Sequence, residues 1–173
     1  PPKDIRFAPN LYHLFKELPT SKRFAAAAKI GCNAVEWHFP WELSKTELRQ
    51  LLDDNGLEFT YGVVPANWAA HDWGLGAQPG REEEFRRAAD LALEYIVECD
   101  FYSINVGAGT VPDGEDRQHC FDTYVRNIDY ISSQAKGHRC LFLLEPVCSE
   151  RVPNWLMQTM AEGALTIAPD GLI

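Results

Sequence analysis

The sequence predicts an α/β chain of parallel strands and covering helices, built as five consecutive β/α units of a barrel. Three observations carry this. Short apolar or alternating runs alternate with helix-patterned segments along all 173 residues, with no composition break or low-complexity linker. Residues 140–147, Cys-Leu-Phe-Leu-Leu-Glu-Pro-Val, form an apolar run that ends in one carboxylate, Glu145, and then a proline. No G-x-G-x-x-G or G-x-x-x-x-G-K-[ST] fingerprint follows any strand, which removes the main support for a nucleotide-binding open sheet and favours a barrel.

Each element has a local reason. Residues 6–11 (Arg-Phe-Ala-Pro-Asn-Leu) read as a short first strand. Thr20 or Ser21 is placed to cap a helix through Arg23-Phe24-Ala25-Ala26-Ala27-Ala28-Lys29, and Gly31 to stop it. Residues 34–39 alternate Val35, Trp37 and Phe39 against Glu36 and His38, a strand ending at Pro40 with Glu36 and His38 on one face. Ser44-Lys45-Thr46-Glu47 is a capping box that opens a helix bearing Leu48, Leu51 and Leu52, with Gly56 after its end.

A strand over residues 57–64 leads to Pro65 and a loop with Trp68, His71, Trp73, Gly74 and Gly76, long enough to cover a site. From residue 81 to 99 the set Phe85, Ala88, Ala89, Ala92, Tyr95, Ile96, Cys99 keeps a helical period. A strand over 102–108 opens into Gly109-Thr110-Val111-Pro112-Asp113-Gly114; Phe121, Tyr124, Val125, Ile128 and Ile131 mark the next helix. The strand with Glu145 follows, expected to be buried on both faces, and then a helix over 155–167 broken by Pro169.

Composition narrows the function classes. A formal charge of −9 without a Lys/Arg cluster argues against a nucleic-acid surface. Five cysteines without C-x-x-C spacing suit a reduced, cytoplasmic setting and no cysteine zinc site. Neither a signal-peptide pattern nor a span of about 20 apolar residues is seen, so no membrane association is expected.

The chain resembles the hydroxypyruvate isomerase family of xylose-isomerase-like (β/α)8 TIM barrels. The resemblance rests, in order, on Phe7-Ala8-Pro9-Asn10-Leu11, Arg23 to Ala27, Ala34-Val35-Glu36 with Phe39-Pro40, Gly74-Leu75, Pro79 to Glu82, Leu91 to Tyr95, Val111 to Gly114, and Leu144-Glu145-Pro146. It implies isomerisation of a small-molecule oxo acid, hydroxypyruvate to 2-hydroxy-3-oxopropanoate, by proton transfer through an enediolate. It also implies that Glu145 is one of two carboxylates that shuttle the proton and a ligand of a divalent metal, Mg or Mn. Burial near a barrel top raises a carboxyl pKa toward the working range, while a cation nearby lowers it and stabilises enediolate charge.

Departures from the family are Asn105, where a histidine is usual; Gly62, in place of an asparagine; Tyr12 and His13, in place of smaller or apolar residues; and Cys148. Asn10, Glu36 and Asn105 are the candidate substrate-binding residues. For Asn10 the alternative is a turn-forming role, and for Glu36 with His38 a hydrogen-bonded structural pair. Arg151 either binds a substrate carboxylate or is a surface residue. A closed barrel takes about 250 residues. The expectation is therefore a single domain over residues 1–173, incomplete at its C-terminal end, with later strands and the second carboxylate beyond Ile173. Such a chain is expected either to self-associate or to be marginally stable and prone to aggregate, and the alternative to an enzyme is a non-catalytic shortened homologue or fragment acting by binding or association.

Overall fold

A computed structural model describes residues 6–166. In chain order the elements are α1 (Thr20–Lys29), β1 (Ala34–Glu36), α2 (Lys45–Asn55), β2 (Glu58–Val63), α3 (Glu82–Cys99), β3 (Ser103–Asn105), α4 (Arg117–Gln134), β4 (Leu141–Leu143) and α5 (Met160–Thr166). The sheet order is β1-β2-β3-β4, so successive strands are neighbours, and β1 and β2 pair in parallel. A helix precedes each new strand, as crossover connections require.

The expected strand over 6–11 is reduced to a single parallel bridge between Asn10 and Glu36, made by Glu36 N–H to Pro9 O (3.1 Å) and Leu11 N–H to Glu36 O (2.8 Å). Pro9 has no N–H to extend a ladder. β1 stops at Glu36 rather than at Phe39, and a short 3-10 turn starts at Pro40. The alternation still holds: Val35 and Trp37 are buried while Glu36 and His38 are half-buried. Between Val35 and Glu36 the register slips, with Val35 opposite Phe59 and Glu36 opposite Tyr61. Thr60 is the extra residue, and its hydroxyl donates to Val35 O at 3.0 Å.

The helices follow their predicted signals except at the starts of α1 and α5. Ser44 and Glu47 form the reciprocal capping box, and Gly56 ends α2 in the left-handed region at φ 61°. At α1 the residue before the first turn is Pro19, without a side-chain cap, so neither Thr20 nor Ser21 serves as one. Asp116 caps α4 by accepting from Gln118 N–H at 3.0 Å. α5 begins at Met160 rather than 155; Ile167 and Pro169 lie outside the described residues. Among the described residues no helix is long and apolar enough to cross a membrane.

The chain forms two compact units. The first comprises the chain up to Val63 with Glu94–Ile104 and Gly137–Leu141; the second comprises Val64–Leu93, Asn105–Lys136 and the chain from Phe142. In the first, Phe24, Trp37, Leu48, Leu52, Phe59 and Phe101 are buried, with Phe59 stacked on Phe101 at 4.1 Å. In the second, Phe85, Val106, Tyr124, Ile128, Ile131 and Leu156 are buried.

Also in the second unit, the loop around Gly74 runs against the segment after β3. Gly76 and Ala77 N–H donate to Gly107 and Ala108 O at 3.0 and 2.8 Å. A Cβ at Gly74 would lie 2.5 Å from Gly107 O, and one at Gly109 (φ 89°) would overlap the Gly74 carbonyl. Glycine is required at both positions by this approach.

The largest departure from expectation is β4. The run predicted to be buried on both faces has Leu141 and Leu143 exposed and Phe142 half-buried. β4 is the edge of the described sheet, so an apolar run there has a neighbouring strand on one side only.

Candidate functional site

Two polar clusters lie at the C-terminal ends of the strands, one in each unit. In the second unit, Asn105 is the last residue of β3 and Glu145 follows β4 by two residues. Their strands are joined by Val106 N–H to Leu143 O at 2.9 Å. Asn105 Nδ2 donates to Glu145 Oε2 at 2.7 Å, and Asn105 is only 5% exposed. The backbone of Glu145 is held as well: Trp155 Nε1 donates to its carbonyl at 3.0 Å, and the following Pro146 removes a donor. Tyr124 is wholly buried, donates to Val106 O at 2.5 Å, and has its pKa pushed up by burial and then by the Glu145 charge.

The burial expected of Glu145 is absent, because its residue is exposed at the open edge. A carboxylate there can exchange protons and take hydrogen bonds. Asn105 can hold one of its oxygens but cannot carry a proton. Among the described residues no group of three or more His, Cys, Asp or Glu side chains is placed to hold a metal ion. Of the residues assigned above, Glu145 is the candidate ligand for Mg or Mn.

In the first unit, Asn10, Glu36 and His38 form the other cluster. Asn10 Nδ2 donates to Glu36 Oε1 at 2.7 Å and lies 3.4 Å from His38 Nδ1. Asn10 Oδ1 accepts Tyr12 N–H at 2.9 Å. Both expected alternatives for Asn10 are thus present in part: it makes the local turn, and it also holds two side chains from the end of β1. Glu36 and His38 are linked through Asn10 rather than as a direct pair. Around them stand Tyr12, His13, Phe39 and Tyr61, with His13 and His38 ring centroids 5.8 Å apart. Burial, and then His13, lower the His38 pKa.

Tyr12, His13 and Tyr61 were not singled out as binding residues. The signal available was the replacement of smaller or apolar residues by Tyr12-His13 immediately after the first strand. At Gly62 an added Cβ would sit 3.3 Å from the Phe101 ring, so the aromatic stack occupies that space. Trp68 and Trp73 are half-buried and meet edge to face at 5.4 Å. Their loop is tied by Arg81, which bonds Asp72 at 2.6 Å and Glu84 at 2.8 Å. Arg151 and Cys148 are exposed.

The model of the xylose isomerase-like TIM barrel family matches residues 24–167. The chain is 38% identical over 159 residues to the 2-oxo-tetronate isomerase of Cupriavidus necator, covering 91% of this chain and 61% of that protein. It is 35% identical over 152 residues to the hydroxypyruvate isomerase of Escherichia coli, covering 87% of this chain and 59% of that protein. Among solved structures it is similar to an AP endonuclease, family 2, from Brucella melitensis, with a TM-score of 0.89 and 31% identity over 94% of this chain and 63% of that one. The chain thus spans about three fifths of the length of the curated relatives it matches.

Proposed function

Since the chain belongs to the xylose isomerase-like TIM barrel family, we propose that it serves the isomerisation of a short 2-oxo-3-hydroxy acid, hydroxypyruvate to 2-hydroxy-3-oxopropanoate, through an enediolate. The observation that carries this reading is a single carboxylate at a strand end, Glu145, held through one oxygen by Asn105. Glu145 removes the proton from the carbon bearing the hydroxyl, and the electron pair moves to form the enediolate. The hydroxyl proton passes to the former carbonyl oxygen and a proton returns to the neighbouring carbon, leaving an aldehyde where the hydroxyl was and a hydroxyl where the ketone was. Asn105 keeps Oε2 engaged and turns Oε1 toward the reacting proton. Asn10 and Glu36 are assigned to substrate binding. Isomerase relatives at 35–38% identity support the class of reaction.

A second reading is kept by a specific observation: Glu145 is exposed and no second catalytic carboxylate is assigned among the described residues. On that reading the chain acts by binding or association. The test is exchange of the C3 protons of hydroxypyruvate in D2O, followed by proton NMR, for the chain and for Glu145→Gln. Exchange lost in the variant supports the isomerase reading. Exchange equal in both variants, or absent from the chain even when extended to the full length of its relatives, overturns it.

A further inference from the structure

Glu145 stands two residues beyond Leu143, the end of β4, and Pro146 after it restricts its backbone to extended conformations. The residue is gripped at both ends: Asn105 Nδ2 donates to its carboxylate at 2.7 Å, and the Trp155 indole Nε1 donates to its main-chain carbonyl at 3.0 Å. The second grip depends on where residue 155 is held. Trp155 is 4% exposed and Leu156 wholly buried. Their segment is stitched to the stretch after β3: Val111 N–H donates to Asn154 O at 2.8 Å, Leu156 N–H donates to Gly109 O at 3.1 Å, and Thr110 and Trp155 form an antiparallel bridge. Asn154 enters this segment at φ 60°, a left-handed turn that asparagine adopts more readily than most side chains. Val147 N–H donates to Met157 O at 2.9 Å and closes the loop on itself.

The carbonyls of Trp155 and Leu156 face the first residue of α4. Arg117 Nη1 donates to Trp155 O at 3.2 Å and to Leu156 O. A guanidinium stays charged throughout the physiological pH range, and its bonds to neutral carbonyls are charge-assisted. Asp116, the cap of α4, accepts from Gln118 N–H at 3.0 Å and fixes the helix start from which the guanidinium reaches. We propose that Arg117 is a positioning residue for Glu145 and acts through Trp155. The guanidinium holds the main chain of residues 155 and 156, the indole N–H holds the Glu145 carbonyl, and the carboxylate is thereby kept on Asn105. This rests on the reading of Glu145 as the carboxylate that moves the proton. In this scheme neither Arg117 nor Trp155 touches substrate, so both set how well the carboxylate is aligned and not how substrate is held. Their signature belongs in kcat and not in KM.

The experiment uses the whole chain and has two arms. In the first, on 15N-labelled protein without substrate, hydrogen exchange of the Asn105 side-chain amide reports its bond to Glu145. Trp155→Phe, which keeps a buried ring and removes the N–H, should speed that exchange about tenfold, toward the rate in Glu145→Ala, while the backbone N–H of Val106 stays as protected as before. Arg117→Ala should do the same and add nothing once Trp155→Phe is present, and Arg117→Lys, which keeps a charged donor, should retain most of the protection. Unchanged Asn105 exchange, additive effects of the two substitutions, or loss of Val106 protection in step with Asn105, the mark of a loop that only packs, would overturn the proposal. In the second arm, with C3-proton exchange of hydroxypyruvate, Trp155→Phe should lower kcat about tenfold with KM within about twofold, and should cost nothing further in Glu145→Gln. An equal loss in both backgrounds would also overturn it. The first arm needs no turnover, so a chain that never exchanges hydroxypyruvate removes the isomerase reading while the link from Arg117 to Glu145 is still judged, and a broken link leaves proton transfer at Glu145 standing.

Discussion

Asn105 and Glu145, 40 residues apart in the chain, meet in an amide-to-carboxylate hydrogen bond of 2.7 Å at adjoining strand ends. One member is almost fully buried and the other exposed, so the buried amide fixes the direction of a carboxylate that reaches outward. Replacing Asn105 by Ala should leave the carboxylate in place but unaimed. If the isomerase reading holds, Asn105→Ala is expected to reduce C3-proton exchange of hydroxypyruvate by about tenfold, whereas Glu145→Gln reduces it by about 100-fold or more, the range of a lost general base. Equal effects of the two substitutions would count against this division of roles.

Gly109 should be the least replaceable glycine of the second unit. Gly109→Ala combines a positive φ of 89° with overlap on the Gly74 carbonyl. Its expected cost is about 3 kcal/mol or more, while Gly80→Ala, at φ 80° with open space around the new methyl, should cost about 1 kcal/mol. Urea midpoints of both variants check the ordering.

Removal of the α2 cap tests the first unit. Ser44 accepts from Glu47 N–H at 3.2 Å and the Glu47 carboxylate accepts the Ser44 N–H at 2.9 Å. Ser44→Ala should destabilise by about 1 kcal/mol, read as a fall in the denaturation midpoint with an unchanged slope.

His38 makes stability depend on pH. Its folded pKa lies below the ordinary histidine value because of burial and then His13. The unfolded chain therefore takes up the proton first as pH falls. The contribution is fully present above the unfolded pKa, about 6.5, and is lost as pH drops from there through the folded value. His38→Gln should flatten the loss of stability between pH 7 and 5. Urea midpoints across that range would show it, and an unchanged slope would contradict it.

The exposed edge should make the chain associate. In the first unit Phe7, Tyr102 and Leu141 are 72%, 62% and 51% exposed, and Leu141 pairs with Tyr102 through its N–H at 3.0 Å. Apolar surface beside an edge strand favours pairing with another copy. Light scattering should give an apparent mass that rises with concentration, and Leu141→Lys should lower it. A concentration-independent monomer would refute the expectation.

Much of the fold was legible because its signals are local. The Ser44–Glu47 box, Gly56 after α2, Gly31 after α1 and the alternation of Val35 and Trp37 against Glu36 and His38 each act over a few residues, and the structure keeps them all. The helix over 82–99 needed only its period. What failed depended on neighbours. Whether residues 140–147 are buried is decided by what lies beside the strand, which an apolar run cannot specify. The candidate residues Glu145, Asn105, Asn10 and Glu36 were legible as residue types, but not the hydrogen bonds that join them. Asn105 with Glu145, and Asn10 with His38 across 28 residues, join through strand adjacency. No pattern within either segment encodes that adjacency.

The slip at Thr60 also bears on how this segment can change over generations. Because one surplus residue separates the partners of Val35 and Glu36, the inward and outward phase of β2 is reset just before Tyr61, whose ring lies 5.6 Å from His38. Loss of a single codon at Thr60 would restore an even ladder and still leave Tyr61 opposite Glu36, because that pairing already sets its side of the strand. A lineage could thus lose the surplus residue and keep Tyr61 beside the His38 cluster, giving up only the Thr60 hydroxyl bond to Val35 O.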